Sequence, residues 1–328
     1  MNRLAPSFAR LRAAPLAVAC AMGLSQAALA QSTYPTKPIR MVSMHTGVAD
    51  GYTRLLTGKM SESIGQPIVV DAMLGAGGGI AAEAAARAAP DGYTILAAFP
   101  DAIVLRHLLV RKMTYDPVKD FTPIVQLMDP IIVLAVEPNV AGDIKDLLAK
   151  AKAAPNKLSY GSLGIGSSFQ LAGEAVKQLT GVEIIHVPFK SSADSMVAVQ
   201  RGDVSMLYTA QGVVLPQHRA GKMKIIGVVN DRRSPALPDV PSIREVVPGF
   251  ESPPFWLGYF GPANLPGPIT QRLNGEFIKA AKIPELAERA GQIGFSLIGS
   301  TPDEFRTRVR EGIEKSNKIA KGAGIEPE

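Results

Sequence analysis

The segment Tyr160-Gly161-Ser162-Leu163-Gly164-Ile165-Gly166-Ser167-Ser168 holds three glycines and three serines in nine residues, and the apolar-periodic stretch Phe169 to Thr180 follows it directly. That composition suits neither a helix nor a strand interior, so a loop feeding a helix N-terminus is expected here. Ser167 is placed to cap the helix through its hydroxyl, and Gln170, three residues on, completes a capping-box pattern. Backbone N–H groups gathered ahead of a helix make a ready anion site. Gly161 and Gly166 have the spacing of the nucleotide motif G-x-x-x-x-G-K-[ST], but Ser167 stands where its lysine belongs. A triphosphate would lack its partner. The loop therefore reads as a cradle for a smaller anion, a carboxylate.

Arg3, Arg10 and Arg12 precede an apolar run from Ala13 to Leu24, and Ala28-Leu29-Ala30 offers a small-residue cleavage pattern before Gln31. This is the layout of an export signal. Its apolar core is shorter than the roughly 20 residues a helix needs to cross a bilayer. Residues 1–30 are expected to be removed, leaving a soluble protein outside the cytoplasm. The single cysteine, Cys20, lies within that core. A lipoprotein signal would place a cysteine at the cleavage point, and Ala17-Val18-Ala19-Cys20 matches that only loosely, with an apolar stretch continuing behind it. The mature chain is then free of cysteine and of disulfides. The formal charge of +6 falls to about +3 once three arginines leave with the signal, and no Lys/Arg run remains. Nucleic acid is excluded as a partner on that ground, while a weak positive field helps anionic solutes arrive.

Strand, glycine-containing loop and helix alternate along the mature chain. Ile39 to Met44 reads as a strand, His45 to Gly51 as a loop in which Asp50 caps a helix carrying Tyr52 to Ile64, and Gly65 as its C-cap. Pro67 to Asp71, the glycine loop Gly75 to Gly79 and the alanine-rich helix Ile80 to Ala89 repeat the unit. Tyr93 to Ala98 is a third strand, left through Phe99-Pro100-Asp101 toward a helix around Ile103 to Val110. Phe121 to Leu127 and Ile131 to Val136 are strands parted by Met128-Asp129-Pro130. Asp143 to Ala153, the segment described first, and strands at Glu183 to Val187, Val204 to Tyr208 and Lys224 to Val229 continue the alternation. Capping boxes stand at Ser242/Glu245 and Thr301/Glu304. This is the pattern of an α/β protein with mostly parallel sheets flanked by helices. A chain of this length exceeds what one core usually holds. Two domains are expected, residues 31–130 with 254–328 and residues 131–253, with glycine loops at strand ends facing each other across a cleft.

Catalytic patterns are missing. No G-x-S-x-G elbow occurs, and His45, His107, His186 and His218 are scattered without metal-ligand spacing. No catalytic residue, metal ligand or cofactor is assigned. A secreted hydrolase would need a triad assembled in space. His186, in an apolar strand, reads as structural. Gly75 to Gly79 fails the dinucleotide pattern because Ile80 stands at its third glycine position, which leaves a turn or a cleft edge. His45 either donates to an anion or faces solvent, and Lys190 either solvates or reaches the cleft. Thr209 ends a strand from which its hydroxyl is able to enter the cleft.

Several runs together resemble one family. They are Tyr34-Pro35-Thr36-Lys37-Pro38-Ile39, Gly75-Ala76-Gly77-Gly78, Ala89-Pro90-Asp91-Gly92-Tyr93-Thr94, Tyr115-Asp116-Pro117-Val118-Lys119-Asp120-Phe121, Tyr160 to Ser168, His186-Val187-Pro188-Phe189-Lys190, Ala220-Gly221-Lys222 and Arg233 to Pro241. The chain resembles the Bug receptors, the extracytoplasmic solute-binding proteins of tripartite tricarboxylate transporters, over essentially its whole mature length. The resemblance implies a two-domain, type II periplasmic-binding-protein fold, a periplasmic location, no catalysis, and transient contact with the membrane subunits of a transporter or with a sensor. It also implies a monomer that closes on a small organic acid. The ligand-binding set expected is His45, Thr46, Gly47, Val48, Asp50, Gly77, Gly78 and Phe99 from the first domain, with Ser162, Gly164, Gly166, Ser167, Ser168, Phe189, Lys190 and Thr209 from the second. Three positions depart from the family pattern. The first loop keeps only Gly47 of its usual paired glycines, and Ala72 replaces the usual asparagine. Thr209 stands where relatives that bind amino acids carry an acid, so the ligand is expected to lack an ammonium group.

Overall fold

Strands here begin where β-branched and aliphatic residues cluster and end at glycine, proline or a helix cap. A computed structural model describes residues 34–45 and 47–327; the expected export signal with Cys20, and Thr46, lie outside the described residues. The chain runs β1 (Ile39–Ser43), α1 (Gly47–Ile64), β2 (Ile68–Ala72), α2 (Gly79–Ala86) and β3 (Thr94–Ala98), then a π-helical turn at Asp101–Leu105 and a 3-10 turn at Arg106–Leu108. β4 (Phe121–Pro130) passes almost directly into β5 (Ile132–Val136). The second set of units is α3 (Ile144–Ala153), β6 (Ser159–Ser162), α4 (Ser168–Thr180), β7 (Ile185–Pro188), α5 (Ser192–Arg201), β8 (Met206–Ala210), α6 (Gln211–Arg219), β9 (Lys224–Val228) and the single turn α7 (Ile243–Val246). β10 (Leu257–Pro262), α8 (Gly267–Ala281), α9 (Pro284–Gln292), β11 (Phe295–Leu297) and α10 (Pro302–Gly322) complete it.

Two sheets result, in the orders β11-β4-β10-β3-β1-β2 and β7-β6-β8-β5-β9. β1 pairs parallel with β2 and β3, and β6 pairs parallel with β7 and β8. The pairs β10–β3, β10–β4, β11–β4, β5–β8 and β5–β9 are antiparallel. The sheets are thus mixed rather than mostly parallel. The cause is the crossing itself. β5 enters the second sheet at the edge where β8 leaves it, and β10 enters the first where β3 leaves, so each runs against its neighbour.

Ile131, the one residue between β4 and β5, is held from both sides. Its N–H donates to the Gly294 carbonyl at 2.8 Å, and its carbonyl accepts from the Gln211 N–H at 2.7 Å. The Asn230 side chain spans the same joint, with Nδ2 donating to the Pro130 carbonyl at 3.0 Å and Oδ1 accepting from the Ile132 N–H at 2.7 Å. α10 packs on β4 and on α4, and Gln178 Nε2 donates to the Ile319 carbonyl at 2.8 Å. In the first sheet's core lie Met41, Leu56, Met60, Ile95, Tyr259 and Phe277, while Tyr160, Leu171 and Tyr208 lie in the core beside the second. Tyr259 stacks on Phe277 at 4.2 Å between ring centroids. Each such ring contributes on the order of 1.5–3 kcal/mol by burial.

Local corrections have identifiable causes. β6 runs through Ser162, so Tyr160, Gly161 and Ser162 belong to a strand paired with His186, Val187 and Pro188 rather than to the loop. Gly161 is tolerated in that strand because a side chain there would lie 2.2 Å from Ser195 Oγ and 3.3 Å from the Phe189 ring. β4 continues through Met128-Asp129-Pro130, which pairs with β11. The stretch expected as a helix around Ile103 to Val110 forms the π and 3-10 turns instead, and α9 was not anticipated. Both capping boxes, at Ser242/Glu245 and Thr301/Glu304, form as expected.

Candidate functional site

β1, β2 and β3 end at Ser43, Ala72 and Ala98, and β6, β7 and β8 end at Ser162, Pro188 and Ala210. These two sets of strand ends lie on the edges that the Ile131 crossing joins. They also touch directly. A side chain at Gly166 (φ +71°) would lie 2.4 Å from Leu109 Cδ2, so the loop after β6 packs on the turn that follows β3.

On the first edge, His45 is buried with its ring against Phe99, 5.2 Å between centroids. Its Nε2 lies 3.2 Å from Thr53 Oγ1, which in turn lies 3.3 Å from the Tyr259 hydroxyl, while Nδ1 is buried without a partner. Burial lowers the imidazole pKa to about 4, against the opposing pull of Asp50. His45 is therefore a neutral hydrogen-bonding group at neutral pH. α1 begins at Gly47, so Asp50 is not the N-cap expected but a first-turn residue. Its Oδ2 accepts from Arg54 Nε at 2.7 Å, an i,i+4 pair, and its Oδ1 is buried and unpartnered. Val48 is exposed on the rim. Gly78 (φ +87°) is packed, since a side chain there would lie 2.3 Å from Met44 Cε, while Gly77 is exposed. The Ala76 carbonyl accepts from Arg106 Nη1, which fixes this turn. Burial also pushes the Asp101 carboxyl above its ordinary range.

On the second edge, Ser162 Oγ lies 2.6 Å from His186 Nε2 and accepts from the Gly164 N–H at 3.2 Å. The His186 ring lies against Tyr160, whose hydroxyl donates to Glu174 at 2.6 Å. The role of His186 is to seat Ser162. Among the described residues no carboxylate hydrogen-bonds this imidazole, so the serine–histidine contact is not a triad. Ser167 caps α4, accepting from the Gln170 N–H at 3.3 Å. Gln170 does not close a capping box; its Oε1 accepts from the Gly166 N–H at 2.6 Å. The Ser167 N–H donates to Gly164 as well, so the loop satisfies several N–H groups internally and is a less open cradle than its composition suggests. Ser168 Oγ donates to the Pro254 carbonyl at 2.8 Å and ties the loop to the chain entering β10. Phe189 is half-buried against Gly161, and Lys190 is exposed.

Thr209 is fully buried, and its Oγ1 has no partner. Two residues absent from the sequence reading share that property. Ser195 Oγ on α5 and Gln211 Oε1 at the start of α6 are buried and unpartnered. A buried polar atom without a hydrogen bond costs roughly 1–3 kcal/mol. Three such atoms lie on residues within or flanking the segment from β6 to α6. Gln211 was in reach of the sequence, two residues beyond Thr209 at a strand exit. Ser195 was not, since only the glycine at 161 opens the space its hydroxyl occupies. No group of His, Cys, Asp and Glu able to hold a metal occurs among the described residues.

Residues 52–325 match the family described as the tripartite tricarboxylate transporter family receptor. The chain is 29% identical to protein BugT of Bordetella pertussis, over 91% of this chain and 93% of that protein. Among solved structures, Rpa4515 of R. palustris with adipate matches with a TM-score of 0.79 and 31% identity, covering 90% of this chain and all of that one. MatC of Rhodopseudomonas palustris with bound malate matches with a TM-score of 0.73 and 28% identity, covering 87% of this chain and 99% of that one.

Proposed function

Because the chain belongs to the tripartite tricarboxylate transporter receptor family and is a solute-binding receptor with a periplasmic-binding-protein fold, we propose that it captures a small organic carboxylate between its two sets of strand ends. The observation that carries this reading is the group of buried, unpartnered atoms on Ser195, Thr209 and Gln211 at one set of strand ends, with a neutral His45, whose Nδ1 lacks a partner, at the other. Relatives solved with adipate and with malate give the ligand class its support. The ligand carboxylate is assigned to the loops at Gly47 and at Ser162 to Ser168, and the remainder of the ligand to Thr209, Ser195 and Gln211. All three of these side chains are uncharged, which favours a ligand without an ammonium group. The sheets act as two domains, residues 31–130 with 254–328 and residues 131–253, that close about Ile131. The protein is exported through residues 1–30 to the periplasm, acts as a monomer, carries out no catalysis, and delivers its ligand to membrane subunits.

Isothermal titration of protein lacking residues 1–30 with adipate, malate, glutamate and aspartate tests this. Saturable binding of adipate or malate, with none of the two amino acids, is the expected result. Binding of the amino acids alone overturns the ligand class.

A further inference from the structure

A cavity of about 570 Å³ lies behind the crossing strands, and none of the residues assigned to the strand-end site lines it. Its walls come from both halves of the molecule. Asp129, Leu297 and Arg308 belong to elements of the first sheet, and Arg232 follows β9 of the second. Trp256, the chain's single tryptophan, forms part of the wall with 2% of its surface exposed. Its ring is held edge-on against Phe305 at 5.1 Å, and its Nε1–H is buried without an acceptor.

The charges around this cavity are unevenly satisfied. Arg233 is forked onto Glu245, Asp231 pairs with Arg244 at 3.6 Å, and Lys315 pairs with Glu251 at 3.3 Å. Asp129 accepts from Gln126 Nε2 at 2.5 Å. Burial raises its carboxyl to about 6, with Arg308 pulling the other way and Asp231 adding to the rise. Arg232 and Arg308 line the cavity with no carboxylate within 4.0 Å among the described residues, and Glu311 is the remaining acid on the wall. Two exposed guanidinium groups are thus donors without a carboxylate partner, beside a wall in which Pro254 covers the nearly buried rings of Phe255 and Trp256.

We propose that this cavity is a second ligand site, for a small organic anion whose head group lies between Arg232 and Arg308 and whose apolar body lies along the wall formed by Pro253 to Trp256. Planar guanidinium groups favour such oxyanions by forked, charge-assisted hydrogen bonds. Arg308 lies on α10 and Arg232 on the segment that leaves β9, so an occupant that bridges them ties that helix to the exit of the second sheet. An anion that fits one separation of the two arginines better shifts the population of opened and closed molecules. The inference does not depend on the ligand assigned to the strand-end site.

Trp256 is its own reporter. Benzoate is titrated against the tryptophan emission, with uncharged benzamide as the control, in the parent protein, in the double variant R232Q/R308Q and in T209V at the strand-end site. A saturable emission change with benzoate, absent with benzamide, unchanged in T209V and weakened about tenfold or more in R232Q/R308Q, is expected. Both arginines are exposed, so matching circular dichroism of the variants establishes that they fold. No saturable response to benzoate, an equal response to benzamide, full retention in R232Q/R308Q, or loss in T209V overturns the proposal.

Discussion

The strand-end site and the cavity behind the crossing strands leave polar groups unsatisfied in opposite ways. At the strand ends the atoms without partners are buried and mostly neutral: a hydroxyl on Thr209, another on Ser195, an amide oxygen on Gln211 and one nitrogen of a neutral imidazole on His45, with one carboxylate oxygen of the Arg54-paired Asp50 as the exception. Behind the crossing they are cationic and exposed, on Arg232 and Arg308, with one buried indole N–H in the same wall. Neutral buried groups are costly to leave unpaired and fixed in direction, so they select by shape and hydrogen bond. Exposed guanidinium groups cost little when empty and are screened by salt, so they attract with less selection.

The comparison breaks most readily at the ring cluster that walls the second cavity. Phe305→Ala, which removes a fully buried ring from between Trp256 and Phe260, is expected to cost about 3–5 kcal/mol in urea denaturation. It should also move the Trp256 emission to longer wavelength. Thr209→Val is the converse case, where stability is expected to stay level or rise because an unpaired hydroxyl is lost. Adipate affinity, measured by titration calorimetry, should fall about tenfold to a hundredfold, the worth of one hydrogen bond to a charged group. A variant that loses stability but keeps its affinity would place Thr209 outside the site.

Acid separates the regions by sign. His45 sits at about 4 in the folded chain against an ordinary 6.5, so the unfolded chain takes up its proton first, and the stability from this group is lost as pH falls from about 6.5 toward 4. Asp129 sits at about 6 against 3.8, so the cost of its buried charge is full above pH 6 and is relieved as pH falls toward 3.8. Each slope is at most about 1.4 kcal/mol per pH unit. Urea midpoints across this range should fall less steeply in His45→Gln and more steeply in Asp129→Asn, relative to the parent. Equal slopes in both variants would erase the contrast. The smallest effect expected is for Thr301→Ala, about 1 kcal/mol from loss of the cap on α10, with adipate binding unchanged.

Much of the first region was legible along the chain because its signals are local. The capping hydroxyls of Ser167 and Thr301, the left-handed glycines at 65 and 166, and the strand-loop-helix order all follow from the preferences of a few neighbouring residues. What misled were segments whose partners lie far away. Gly161 and Ser162 look like loop residues until β7 pairs with them, and Asp50 looks like a cap until Arg54 claims its carboxylate. Gln170 has the spacing of a capping box yet bonds to Gly166.

The alternation of units, the caps of α4 and α10 and the family were readable along the chain, since each rests on contacts within a few residues or on ordered motifs. The folded arrangement was needed for the mixed sheets, for the hydrogen bonds that hold Ile131 from both sides, and for Ser195, Thr209 and Gln211 being buried without partners. Those facts depend on which atoms are brought together across long stretches of chain, and whether a buried hydroxyl is satisfied is a property of its surroundings rather than of its residue type.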